Sequence, residues 1–384
     1  MAAEQRQEQL VVAERAALRE EGERVFVASQ WQLMWWRFRK HKMALVSGAI
    51  LILLYSVALF AEFVAPYDPH KYDVKFTYAP PTRLHFIDEA GRFHLRPFVY
   101  GLKQERDPKT MKMLFAEDRT KIYPLRFFVR GAPYKLWGLF SADRHLFGLE
   151  EKDAVFFLLG ADRMGRDLFS RIVYGTRISM SVGLVGIGIS LVLGVLIGGV
   201  SGYYGGAIDT VIQRLIEFIR SIPTIPLWMA LSAAVPKEWS PLRVYFAITV
   251  LLSLIGWTSM ARVVRGRFLA LREEDFVMAA LLVGASELRV ILRHMVPSFL
   301  SHIIASLTLG IPGMILAETS LSFLGLGLRP PVISWGVLLQ ESQNLRAVAT
   351  SPWLLLPGVA VVLAVLAFNF VGDGLRDAAD PYAR

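Results

Sequence analysis

Long apolar runs, separated by clusters of charge, dominate what this chain can fold into. Charged residues gather at 1–42, 66–177, 262–293 and near the C-terminus, and between them lie apolar runs at about 43–65, 178–203, 244–261, 299–321 and 352–371. A bilayer demands roughly 20 apolar residues for each helix that crosses it, whereas a soluble core needs no uncharged stretches of that length. A sixth run, 221–235, is short for a crossing. The preceding segment 208–219 lengthens it, with Ile208, Ile212, Leu215, Ile216 and Ile219 on one helical face.

Basic residues flanking the runs fix their orientation. Arg37, Arg39, Lys40 and Lys42 precede the first; Arg262, Arg265, Arg267, Arg272, Arg289 and Arg293 follow the fourth. Both clusters belong on the cytoplasmic side, so an even number of crossings separates them. The 221–235 run therefore counts as a crossing. Six spans result, with both termini in the cytoplasm. The net charge of +9 is accounted for by these flanks, and no basic helix free of the membrane segments points to nucleic acid.

The expected organisation is an all-α integral membrane protein. Residues 1–42 form a cytoplasmic lead, helical to about Arg24, then an interfacial helix carrying Trp31, Trp35, Trp36 and Phe38. Residues 43–65 make the first transmembrane helix. Residues 66–176 form a small extracytoplasmic domain between helices 1 and 2, since the segment is too long and too aromatic for a linker. Residues 177–384 hold the other five helices, with a cytoplasmic loop at 265–297. The first run lies after a charged lead and is too long for a cleaved signal core, so it reads as an uncleaved anchor.

Several chemistries are excluded. The chain has no cysteine, hence no disulfide, thiolate site or Cys nucleophile. No G-x-x-x-x-G-K-[ST], H-E-x-x-H, G-x-S-x-G or S-x-x-K pattern occurs. Glu318 and His302 are the ionisable residues of the fifth run; Glu318 is expected near the outer helix end, hydrated or capping a neighbour and a candidate for the pathway or its gate, and His302 at the interface.

The loop between the fourth and fifth runs reads as two short helices. Glu273, Glu274 and Asp275 open the first, as the helix dipole favours. Gly284 suits its C-terminus, Ser286 is placed to cap the second, and Leu288, Ile291, Leu292 and Met295 form an apolar face that Pro297 closes. Small Ala279 and Ala280 leave room for another protein surface.

The run Ala279-Ala280-x-x-x-Gly284, followed by His294-x-Val296-Pro297, resembles the EAA loop of binding-protein-dependent ABC importer permeases. Met278 stands where that family has Glu. Further matches are to the dipeptide and oligopeptide C-type subunits. They comprise Leu159-Gly160-Ala161-Asp162 through Gly165-Arg166-Asp167, Gly202-Tyr203-Tyr204-Gly205-Gly206-x-x-Asp209, Glu318-x-x-Leu321-Ser322-Phe323-Leu324-Gly325-Leu326-Gly327 with Pro330-Pro331 and Ser334-Trp335-Gly336, and Phe368-Asn369-x-x-Gly372-Asp373-Gly374-Leu375-Arg376-Asp377. Nickel permeases share the pattern.

This resemblance implies a six-helix permease of the type I ABC importer kind in the bacterial inner membrane. It implies a homologous second permease as heterodimer partner, two ATP-binding subunits and an extracytoplasmic solute-binding protein. ATP and Mg would be bound by the partner ATPase, with no cofactor in this chain. The loop residues Ala279, Ala280, Gly284, Ser286, Leu288, Ile291, Leu292, His294 and Pro297 would form the coupling helix docked on the ATPase. Peptides are the cargo implied first, then oligosaccharides or nickel chelates. An ion-coupled secondary carrier and a membrane receptor are the readings from other classes.

Overall fold

The computed structural model describes residues 29–106, 113–151, 154–236 and 238–379. The expected helix ending near Arg24 and the side chain of His302 lie outside what is described. Among the described residues, five helical segments are long and apolar enough to cross a bilayer. Four are single helices: α2 (Lys42–Leu59), α4 (Leu168–Tyr204), α7 (Pro241–Leu271) and α11 (Leu300–Phe323). The fifth is α13 (Leu356–Ala379) with the short turn before it. The helix expected at the interface is α1 (Gln30–Lys40), opened by a capping box in which Ser29 and Gln32 exchange side-chain and backbone bonds.

The 221–235 run does not form a full-length helix. It yields only α6 (Thr224–Ala233), ten residues and so about 15 Å long. The segment before it is a separate helix, α5 (Gly206–Ser221), and Pro223 stands between them. On α5, Ile212, Ile216 and Ile219 pack against Leu193, Trp257 and Ala261, but Ile208 and Leu215 of the expected face are exposed.

Helices α4 and α7 run parallel, side by side. Tyr245 donates to Ser181 and Ser253 to the Gly186 carbonyl, each at 3.0 Å; further along, Gly194 meets Met260, Gly198 meets Ala261 and Gly202 meets Phe268. A Cβ on Gly198 would lie 2.3 Å from the Ala261 carbonyl oxygen. This fourfold spacing of small residues lets two backbones approach, as in membrane helix pairs. Because the pair is parallel, α5 and α6 together carry the chain back along its length.

The chain is not all-α. The segment expected as an outer domain contains two antiparallel sheets. Strands β1 (His85–Ile87), β2 (Phe93–Arg106) and β3 (Met113–Pro124) form one, and β4 (Arg126–Leu136) with β5 (Phe140–Gly148) the other. Aromatic and β-branched residues alternate here with charged ones, a period of two rather than 3.6. The turn Leu136–Leu139 holds Trp137 and Gly138 at φ 53° and 74°, the sign that a tight hairpin turn requires. Short helix α3 (Ala61–Val64) joins α2 to this region, and Arg177 of α4 forks onto Glu62 with two 2.7 Å bonds.

Candidate functional site

The loop after α7 folds into an elbow. Helix α8 (Asp275–Leu282) ends at Gly284, whose φ of +82° is the left-handed conformation expected of a helix stop. The second arm begins as α9 (Glu287–Arg289), widens to a π-wound segment at Val290–Met295 and finishes as α10 (Val296–Ser298). Ser286 takes the extended N-cap conformation without a side-chain cap bond. Pro297 lies in the last turn, and the chain breaks direction at Phe299.

The elbow is fastened on one side and open on the other. Val277, Val290, Met295 and Phe299 are buried against Met260, Val264, Phe268 and Ile303. Tyr204, at the end of α4, donates to Glu287 at 2.7 Å. Ala280, Ile291 and His294 are half-buried. Leu288 and Leu292 of the expected apolar face are exposed while Met295 is buried, because the π winding sets buried Val290 and Met295 five residues apart. With Met278, Ala279, Leu282 and Val283 they form an apolar outer surface, and Leu282 and Val283 are each 86% exposed.

A brace stands beside the elbow. Asp209, near the start of α5, accepts Arg265 Nε and Nη2 at 2.5 Å each, and Ser201 at 2.5 Å. In sequence, Arg265 is a topological charge and Asp209 part of a turn; their pairing depends on the parallel α4–α7 packing.

Glu318 is not at a hydrated helix end. It is fully buried, and its carboxylate accepts Ser334 at 2.7 Å, Ser322 at 2.8 Å and Ser179 at 3.4 Å. The chain after α11 folds back so that Trp335 is buried, its backbone N–H donating to Ser179 and its indole to the Ile172 carbonyl. The Glu318-to-Trp335 block is thus one knot joining α4, α11 and α12 (Trp335–Leu339).

At the end of the bundle where α4 starts, Asp162 is buried and holds Arg166 at 2.7 Å and Arg171. Glu341, from beyond α12, approaches Arg163 and Arg166 at 3.5 and 3.6 Å. Burial pushes the Glu341 carboxyl upward. Asp167 takes no part in these ion pairs: it caps α4 by accepting from the Ser170 N–H at 2.7 Å, and burial pushes its carboxyl up to about 6.

A cavity of about 460 Å³ opens between α5, α6, α7 and α11, with Arg220, Trp228, Ser259, Ser306 and Met314 on its walls. Arg220 donates to Ser259 at 2.8 Å. Among the described residues, no cluster of three or more His, Asp or Glu side chains is arranged to hold a metal ion.

Residues 191–384 match the family model described as "Binding-protein-dependent transport system inner membrane component", half of the chain and all of it from mid-α4 onward. This chain belongs to that family. The first part of the permease, residues 29–81, matches the N-terminal transmembrane domain of oligopeptide transport permease C. The permease is 38% identical to the oligopeptide transport system permease protein OppC of Haemophilus influenzae, over 65% of this chain and 75% of that one. It is 28% identical to the glutathione transport system permease protein GsiD of Pectobacterium atrosepticum, over 92% of each. Among solved structures it is similar to the inward-facing MetNI methionine ABC transporter, at 18% identity and a TM-score of 0.43, over 55% of this chain and 97% of that one. The permease is therefore a multi-pass inner-membrane component of an ABC importer, a subunit class distinct from the ATP-hydrolysing one.

Proposed function

We propose that this permease is one of two homologous membrane subunits of a peptide importer, working with two ATP-binding subunits and an extracytoplasmic solute-binding protein. The apolar outer face of the elbow carries this reading. Met278, Ala279, Leu282, Val283, Leu288 and Leu292 present uncharged surface at the end of a bundle, where a protein partner rather than water is its natural complement. The elbow is also fixed by Tyr204 and by its buried side to α4, α7 and α11, so movement imposed on it is passed to three crossing helices. ATP and Mg are bound by the partner, and closure of its nucleotide sites rocks the bundle between inward and outward access.

The elbow faces the cytoplasm, as do both chain ends, and the 66–176 domain lies outside. Six crossings follow when α5 and α6 count as one broken span; the parallel packing of α4 and α7 supports this. Residues 265–297 act as the coupling loop, and Glu318 holds the outer end of the bundle together rather than touching cargo. Peptides are the cargo because the relatives with 36–40% identity are oligopeptide and dipeptide permeases.

Uptake by proteoliposomes containing the complete importer tests this. Labelled peptides should accumulate only with ATP and binding protein, vanadate should stop uptake, and proton or sodium ionophores should not. Uptake that follows an ion gradient without ATP contradicts the proposal, and uptake of oligosaccharide or nickel chelate in place of peptide reassigns the cargo.

A further inference from the structure

The β4–β5 hairpin ends in Leu136-Trp137-Gly138-Leu139-Phe140, a run with neither charge nor hydroxyl. Hairpin turns bathed in water favour Asn, Asp, Gly and Ser. Here Leu139 is 76% exposed, and Trp137 and Phe140 are exposed beside it. The position of the tip is fixed. The Trp137 indole N–H donates to the Leu59 carbonyl at 2.7 Å, and its ring lies 5.9 Å from that of Phe60.

Leu59 is the last residue of α2. That helix has 18 residues, about 27 Å, close to the thickness of the hydrocarbon core, so its last turn lies at the rim of the bilayer. The side of α2 below the tip exposes Ile52, Leu53 and Leu59, with Ser56 between them returning its hydroxyl to the Ile52 carbonyl at 2.7 Å, and the hairpin tip adjoins this largely apolar surface. Lys135, exposed just before the tip, has the long stem that reaches back toward headgroups. Tryptophan at the boundary between lipid and water is the residue expected there.

We propose that the tip Leu136–Phe140 is a membrane anchor, seated at the headgroup–acyl boundary beside the end of α2 and holding the β-sheet insertion down on the bilayer. Its occupant is lipid, because the tip is continuous with the flank of a crossing helix. The anchor does not rest on the cargo or on which face of the membrane the insertion occupies.

The chain has no cysteine, so an introduced thiol is the only label site in this subunit. Leu139→Cys carries the probe, and Leu95→Cys in β2, 88% exposed, is the control on the same insertion. Each full-length variant is labelled with an environment-sensitive fluorophore in nanodiscs, as the assembled importer, with and without binding protein. Lipids brominated near the headgroup should quench the label at 139 roughly twofold, since an interfacial anchor enters about 5–10 Å, and should leave the label at 95 unchanged. Aqueous iodide should do the reverse. Iodide quenching at 139 equal to that at 95 overturns the proposal. So does a label at 139 shielded from both quenchers, which would place a protein partner on the tip.

Discussion

The Arg265 guanidinium clasps the Asp209 carboxylate with two nitrogens, Nε on Oδ1 and Nη2 on Oδ2, at 2.5 Å each. Arg265 belongs to α7 and Asp209 to α5, so this fork ties the returning segment to the parallel α4–α7 pair beside the elbow. Ser201 of α4 completes the brace.

Lysine cannot reproduce that fork. Arg265→Lys should therefore lower stability by about 1–2 kcal/mol, a loss typical of a charge-assisted bond. Asp209→Asn should lose a similar amount, and the double variant should lose less than the sum. Thermal unfolding of all three in detergent measures this coupling.

Packing of α4 on α7 makes a second test. Gly198→Ala places a methyl 2.3 Å from the Ala261 carbonyl oxygen and should destabilise by about 1–3 kcal/mol, whereas Gly188→Ala meets nothing within 4 Å and should be neutral. A lowered Tm for the first and an unchanged Tm for the second are the expected pair.

Glu318 gives a third. Glu318→Ala strands the Ser179, Ser322 and Ser334 hydroxyls in a buried knot, at about 1–3 kcal/mol for each unpaired group. Glu318→Gln keeps a carbonyl acceptor and should lie nearer the native protein. The yield of folded permease after extraction, together with Tm, separates the two.

Asp167 gives a pH dependence. Its folded carboxyl is raised from 3.8 to about 6, so the folded state holds the proton more tightly than the unfolded state does. Stability from this group is present below pH 4, falls as pH rises from about 4 to 6, and stays low above that. Asparagine caps a helix equally well and never ionises. Asp167→Asn should thus gain about 1–3 kcal/mol relative to the native chain at pH 7.5 and little at pH 4, read as the Tm difference at the two values.

Much of this architecture was legible in the residues. Apolar runs located the five long helical segments, and Gly284 marked the elbow, because span length and a left-handed stop are local properties. The β-insertion was recognised as a folded unit but assigned to an all-α chain, since its period-two alternation was not weighed against the helical one. The expected apolar face is split, with Met295 buried and Leu288 and Leu292 exposed, because a 3.6-residue period assumes α winding and Val290–Met295 is π-wound. Glu318 does lie near a helix end, as expected, but its burial was not legible. Its partner Ser334 comes 16 residues later, through a fold-back that no helical periodicity encodes. Glu341 stayed hidden likewise, its role set by Arg163 and Arg166 far away in sequence.

In the function proposed above, the exposed elbow meets the ATPase on the cytoplasmic side. Cysteine placed at Val283, 86% exposed, tests it in the assembled importer within membrane vesicles of known sidedness. A short bismaleimide should join this thiol to the ATP-binding subunit, and an impermeant maleimide should reach it only from the cytoplasmic face once that subunit is stripped away. A thiol labelled only from the outer face, or one that never yields an adduct with the ATP-binding subunit, contradicts it.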